Sequence, residues 1–253
     1  MMQTSHGPPT ALALPHRILV GTHHKTGTVW MKTIFETIAV RHALRLFTGF
    51  QPDLPDRWDV FFDDHSRFQF ENLPRSFRGL HLIRDPRDQA VSACFYHQHA
   101  TESWLHAPRR EFRGRTYQEM ITGYADPDDR LLFELEHNAA STIRAMQQWT
   151  YGRPEFIELT YEELITDTTL AVFRSAFLFL GFPPAVVPRL LVIARNRSLF
   201  SGRVPPSRHV RSGRPGEWRR HFKPHHRRRF LELFGDVLVQ LGYEQNDSWA
   251  DEA

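Results

Sequence analysis

The chain has 253 residues, 41% of them apolar and 24% charged, which suits one large α/β domain or two small ones and excludes a disordered chain. Basic residues number 32 against 29 acidic, so the net charge is only +3. With fifteen histidines and a pI near 9.2 this favours anionic ligands without by itself implying nucleic acid. A single cysteine, Cys94, excludes an internal disulfide framework, and no apolar run approaches the ~18 residues that span a bilayer, so a cytoplasmic protein is expected.

The opening residues MMQTSHGPPTALALPH lack the regions of a signal peptide, and residues 1–15 read as a loose tail. Arg17–Thr22 is β-branched and apolar, a buried first strand. Thr28–His42 follows as its helix, with Val29, Thr33, Phe35 and Ile38 interleaved among polar positions. A Pro/Asp-rich connection leads to a second apolar run, Trp58–Phe62. Gly79–Arg84 is a third, and Pro86 opens a helix carrying Arg87 to His99, on which Cys94 is a packing residue. Glu102–Arg115 has no steady period and reads as a loop.

Helical stretches are expected near Tyr117–Tyr124 and Asp128–Tyr151, then a strand at Glu155–Thr160. Further helices are expected over Thr169–Leu180, ending at Gly181 and Pro183, and over Pro184–Asn196. Arg197–Glu217, rich in Arg, Gly, Pro and Ser, reads as a long loop. Lys223–Gly242 reads as one amphipathic closing helix, and 244–253 (EQNDSWADEA) as a second loose tail. Strands alternating with helices imply a parallel sheet covered on both faces, with ligands at the carboxyl ends of its strands. No composition break divides the chain, so 1–253 is taken as one domain.

The densest chemistry lies in Arg17–Trp30, RILVGTHHKTGTVW, where a strand, a Gly/Thr/Lys loop and a helix N-terminus follow one another. Loop amides, the positive end of the helix dipole and a lysine together suit a phosphate. In a Walker A loop the lysine directly follows the last glycine, whereas Lys25 here precedes Gly27 by two residues and Gly21 lies one residue too far away. On composition alone an ordinary strand-to-helix turn remains open. Three other segments stand out: Arg84–Ser92 (RDPRDQAVS), Arg211–Arg219 (RSGRPGEWR) and Tyr161–Leu164 (YEEL).

Thr22–Trp30 resembles the 5′-phosphosulfate loop, T-Y-P-K-S-G-T-T-W, of sulfotransferases that use 3′-phosphoadenosine 5′-phosphosulfate (PAPS). Arg84–Ser92 resembles the family's 3′-phosphate segment R-N-P-x-D-x-x-V-S. Arg211–Arg219 is similar to its late loop R-K-G-x-x-G-D-W-K, with Ser212 where the family has lysine. Tyr161–Leu164 resembles its Y-E-D-L, whose tyrosine contacts adenine, and Ser198–Phe200 its S-x-F.

The resemblance implies a P-loop-like three-layer α/β fold with a central parallel sheet of about five strands. It also implies in-line transfer of a sulfuryl group from PAPS to a hydroxyl or amine of a small acceptor, leaving adenosine 3′,5′-bisphosphate (PAP), with no metal. The donor would be held by Lys25, Thr26, Gly27, Thr28, Val29, Trp30, Arg84, Ser92, Tyr161, Ser198, Phe200, Arg211, Ser212 and Gly213, with Trp30 and Phe200 sandwiching the purine. Lys25 would stabilise the leaving group. The family's base lies within K-T-H, matched by Asp63-Asp64-His65, so His65 is the expected base, with His23 and His24 as rivals.

Phe61, Phe62, Phe68, Phe70, Phe95, Tyr96 and Trp104 are expected near the mouth and point to an apolar or aromatic alcohol. Neither a membrane nor a nucleic acid is expected as partner, and the oligomeric state is not legible. The histidine pairs lack zinc spacing, and the basic run Lys223–Arg229 reads as a charged helix face. Alternatives are a P-loop nucleotide kinase or hydrolase, and a non-catalytic nucleotide- or nucleic-acid-binding protein.

Overall fold

The computed structural model describes residues 12–198 and 213–251. Five parallel strands form one sheet in the order β2-β3-β1-β4-β5: β1 Arg17–Gly21, β2 Leu46–Thr48, β3 Val60–Asp63, β4 Phe77–Ile83 and β5 Phe156–Thr160. The two-residue period of a strand sorts side chains between the faces. Ile18, Val20, Val60, Phe62, Leu80 and Leu82 join one cluster. Leu19, Phe61 and Phe77 join Trp58, Phe68 and Phe156 in an aromatic cluster on the other face.

The first cluster is covered by α1 (Thr28–His42), α7 (Ala171–Phe179) and α8 (Val187–Arg197). A third cluster gathers α2 (Pro86–His97), α3 (Tyr117–Gly123), α4 (Pro127–Glu136), α5 (Asn138–Gln148), α9 (Pro224–Phe234) and α10 (Val237–Gln240). The short α6 (Tyr161–Thr166) starts directly from β5, where Thr160 and Glu163 form a capping box.

From β1 the chain runs outward to β2 and β3 on one side, then returns to β4 on the other. The loops after β1 and β4 therefore leave in opposite directions and open a crevice at their carboxyl ends. Lys25 follows β1 there, and Arg84 follows β4.

Several elements differ from the sequence expectation. β2 was not anticipated, because three residues at a sheet edge carry no period. The stretch Asp128–Tyr151 is two helices broken at His137, whose backbone leaves the helical region (φ −117°, ψ −91°) and whose Nδ1 lies 2.8 Å from the Phe133 carbonyl. The closing helix is interrupted at Gly235, whose φ of 55° favours glycine.

The tails need correction where they are described. Leu12 and Leu14 pack against the first cluster, and Leu12 N donates to His42 O. At the other end Trp249 is buried, and Glu244 pairs with Arg87 at 2.5 Å. Arg87 is itself buried, doubly bonded to Asp85 and stacked on Trp218 (3.8 Å) and Trp249 (4.8 Å). Apolar residues at 249 and 250 thus complete a core instead of trailing in solvent. The basic run at α9 lies against α4: Lys223 pairs with Asp128, and Arg229 with Glu136. Among the described residues no helix is long and apolar enough to cross a membrane.

Candidate active site

The site begins with the turn between β1 and α1. Thr26 Oγ1 accepts from His23 N (3.0 Å) and donates to His23 O (2.8 Å), while Thr28 Oγ1 donates to the same carbonyl (2.7 Å) and accepts from Thr22 Oγ1 (2.9 Å). Ser66 Oγ donates to Thr22 O from the β3 side, 2.9 Å away. These threonines close the loop upon itself and force Lys25 (φ 65°) and Gly27 (φ 106°) into left-handed backbone. The positive φ at Gly27 favours glycine, and a Cβ there would also sit tightly, 3.2 Å, against the Tyr161 ring.

The result is a helix start with no side-chain cap and no acidic residue in its first turn. The amides of Thr28, Val29 and Trp30 have no intrahelical acceptor and meet the positive end of the dipole, which suits an anion. Lys25 Nζ stands 3.8 Å from the centroid of the Tyr96 ring. Burial, and then the like charge of Arg84, lower its pKa to about 8, while Glu102 opposes the shift. Tyr96 OH donates to Glu102, and burial followed by that carboxylate pushes the phenol pKa upward.

Arg84 leaves the end of β4 and donates through Nη1 to the Lys25 carbonyl (3.2 Å). Its guanidinium lies over the Tyr161 ring at 4.4 Å, and its buried Nε has no hydrogen-bond partner among the described residues. Asp85 caps α2 by accepting from Arg87 N, with Pro86 in the first turn. Asp88, one turn on, accepts from Gly216 N (2.6 Å) and Trp218 N (2.8 Å), against a desolvation that raises its pKa. Tyr161 OH donates to Gly213 O at 2.8 Å. The base of the late loop is therefore pinned at two points, to α2 and to α6.

These contacts bring together Lys25 to Trp30, Arg84, Tyr161 and Gly213. Ser92 lies half-buried on α2. Ser198, at the end of α8, is buried and donates to Ala194 O (2.6 Å). Trp30 is buried, in T-shaped contact with Tyr161 and Phe173, and its Nε1 is unpartnered among the described residues. Phe200, Arg211 and Ser212 lie outside the described residues. Of the expected mouth aromatics, Phe61, Phe62 and Phe68 are core residues, and Tyr96 is the one that touches Lys25. Phe70 packs on Phe77, and Trp104 on His97 and Tyr117; Phe95 is partly exposed beside His221.

The histidines hold a pattern that motif reading missed. His23 Nε2 meets His81 Nε2 at 2.9 Å, and His81 Nδ1 meets Glu158 at 2.5 Å. His24 Nε2 meets His97 Nε2 at 3.0 Å, and His97 Nδ1 meets Glu134 at 2.8 Å. Burial, reinforced by His81, drives the His23 pKa well below its ordinary value, so this ring stays neutral. His65 is 45% exposed and lies 3.7 Å from Asp64. The tandem histidines were visible in the sequence; their partners, 58 and 73 positions away, had no local signal. Among the described residues no cluster of three or more His, Cys, Asp or Glu has the geometry to hold a metal ion.

A parallel α/β sheet with an uncapped helix start, a lysine and a buried arginine at its switch point has the chemistry that suits a phosphorylated ligand. The family profile described as a sulfotransferase domain matches residues 15–242, and the chain belongs to that family. The fold is similar to the crystal structure of mouse sulfotransferase SULT7A1 complexed with PAP, at 19% identity over 93% of this chain and 90% of that one (TM-score 0.52). A retinol dehydratase in complex with androsterone and inactive cofactor PAP is 16% identical over 90% of this chain and 82% of that one (TM-score 0.47). A search of curated proteins found no match.

Proposed function

We propose that the crevice at the ends of β1 and β4 receives PAPS, the 5′-phosphosulfate on the Lys25 loop and the 3′-phosphate beside Arg84. The protein is a PAPS-dependent sulfotransferase, which moves a sulfuryl group to an acceptor and leaves PAP. The observation that carries the residue assignments is the convergence of four separated segments. Arg84 touches the Lys25 carbonyl, its guanidinium covers Tyr161, and Tyr161 holds Gly213.

The residues present fit such a donor. Helix-start amides face the 5′-phosphate, and the orphaned Nε of Arg84 supplies a donor for a second phosphate. Lys25 meets the charge that builds on the bridging oxygen as the S–O bond breaks. Positioning and electrostatic stabilisation suffice for such an in-line transfer. Arg211 and Ser212 are proposed to complete the grip on the 3′-phosphate. Ser92 adds a hydroxyl, and Trp30 and Phe200 sandwich the purine beside Tyr161.

An imidazole takes the acceptor's proton. The family pattern gives this role to His65; burial removes His23, and His24 is the rival. The acceptor is proposed to be a small alcohol with an aromatic or apolar body, supported by the Tyr96 ring beside Lys25. A kinase reading is not favoured, because Lys25 precedes the loop glycine. Incubating the protein with PAPS and 2-naphthol, and following PAP and aryl sulfate together, tests the reading. Wild type should form both in equal amounts and Lys25→Ala neither; PAP formation by Lys25→Ala at the wild-type rate would refute the assignment.

A further inference from the structure

We propose that Tyr243 and Glu244, just past α10, are positioning residues of the donor site, which hold Asp85 in place and thereby aim Arg84 at the 3′-phosphate. The inference rests on the assignment of that phosphate to Arg84. It adds residues that no motif names, since both lie beyond the matched residues 15–242.

Three observations carry it. First, two separate polar routes run from these neighbours to one residue. Tyr243 OH donates to Glu162 Oε2 (3.1 Å), and Glu162 Oε1 accepts from Asp85 N (3.1 Å). One carboxylate of α6 thus joins the closing segment to the backbone that leaves β4. Glu244 Oε1 accepts from Arg87 Nη1 (2.5 Å), while Arg87 Nε and Nη2 donate to Asp85 Oδ1 (3.0 Å) and Oδ2 (2.8 Å). The Asp85 amide is therefore reached through Tyr243, and its carboxylate through Glu244.

Second, Arg84 needs an aim supplied from elsewhere. Its guanidinium donates to the Lys25 carbonyl (3.2 Å), faces the Tyr161 ring (4.4 Å) and stands 4.0 Å from Asp88, whose two oxygens already accept from Gly216 N and Trp218 N. Among the described residues it lacks the two-pronged carboxylate bond that locks Arg87. A planar peptide joins Arg84 to Asp85, so holding the Asp85 N–H also holds the ψ of Arg84 and the direction in which its side chain leaves β4.

Third, stability does not account for the network. Arg87 is only 1% exposed, and burial pushes the Glu162 carboxyl and the Tyr243 phenol above their usual ranges. Desolvation of such groups offsets much of what their pairing returns, and an apolar filling is often as stable. A satisfied buried network does fix relative positions, here of β4, α2, α6 and the segment after α10. Arg87 also lies 3.8 Å from the Trp218 ring, so the same brace reaches the base of the late loop.

The test measures PAP and adenosine 5′-phosphosulfate affinity by calorimetry in the full chain carrying Tyr243→Phe or Glu244→Gln, each alone and combined with Arg84→Ala. Each single variant should raise the Kd for PAP by about 3–30-fold, the range of one hydrogen bond, and leave the Kd for the phosphosulfate, which has no 3′-phosphate, within about twofold. In the Arg84→Ala background neither should weaken PAP further, because a brace for Arg84 has nothing left to aim. A merely structural role would weaken both ligands alike, and its effect would persist without Arg84. Equal losses for the two ligands, an unchanged Kd for PAP, or losses that add to that of Arg84→Ala overturn the proposal. Tyr243→Phe keeps the ring and removes one hydroxyl, so it carries the test if Glu244→Gln does not fold. Glu162→Gln retains a carbonyl for Asp85 N and should bind PAP nearly as wild type does, whereas Glu162→Ala should lose affinity as Tyr243→Phe does; wild-type affinity in Glu162→Ala overturns the Tyr243 route. A wild-type protein that binds neither ligand overturns the donor-site reading itself.

Discussion

Replacing Lys25 by methionine should raise the melting temperature of the free protein and at the same time weaken its response to PAP. In the free protein the ammonium is held beside Arg84 in a largely desolvated loop, which lowers its pKa to about 8 from an ordinary 10.5. That difference corresponds to at most about 3 kcal/mol favouring removal of the charge. The contact with the Tyr96 ring, which is about 0.5–1 kcal/mol in the opposite sense, and partial solvent access reduce the net gain to about 1–2 kcal/mol. In a chain of this size that is a rise of about 2–8 °C.

With PAP at about 100 times its Kd, wild type gains about 2.7 kcal/mol. Loss of one charge-assisted contact, about 1.5–3 kcal/mol, raises Kd by about 10–100-fold and cuts that gain to about 0.4–1.4 kcal/mol at the same concentration. Differential scanning fluorimetry with and without PAP reads both effects. A Lys25→Met protein that melts below wild type when free, or gains as much from PAP, would refute the reasoning.

Two further outcomes follow from the same geometry. The Lys25 ammonium exists in the free enzyme below its pKa of about 8, so kcat/KM for PAPS should decline about tenfold per pH unit above that point. Glu102 supports the ammonium, so Glu102→Gln should move this alkaline limb to lower pH; a limb near 10.5 would contradict the burial argument. Asp88→Ala leaves two backbone amides, Gly216 N and Trp218 N, without their acceptor and should destabilise the protein by about 2–4 kcal/mol in urea unfolding. PAP affinity should fall as well, since the late loop loses one anchor; unchanged affinity would detach Asp88 from the site.

The strand-loop-helix around Lys25 was readable because each signal there is local. Thr28–His42 was placed to the residue, since Gly27 starts the helix and the apolar pattern runs unbroken to His42. Short or interrupted elements were harder: Leu46–Thr48 is too brief to show alternation, and the break at His137 rests on a backbone departure no glycine or proline announces. Trp249 looked like part of a tail because its partners, Trp218 and the Arg87 cage, lie far away in sequence.

The same limit governs the site. Lys25 and Arg84 sit in contiguous motifs, which name them as candidates. Glu134 and His97, 37 positions apart, are joined only by packing of α2 on α4. Trp30 is a motif residue that also joins the core cluster under α1. Asp88 falls within the segment that resembles a 3′-phosphate site; in the fold its carboxylate is buried and holds the late loop.

Calorimetric titration of Arg84→Ala with PAP and with adenosine 5′-phosphosulfate, which lacks the 3′-phosphate, tests most directly whether two segments hold the two ends of the donor. The geometry predicts a loss of about 10–100-fold for PAP, equivalent to one charge-assisted contact, and a much smaller change for the phosphosulfate. Equal losses for both ligands would contradict it.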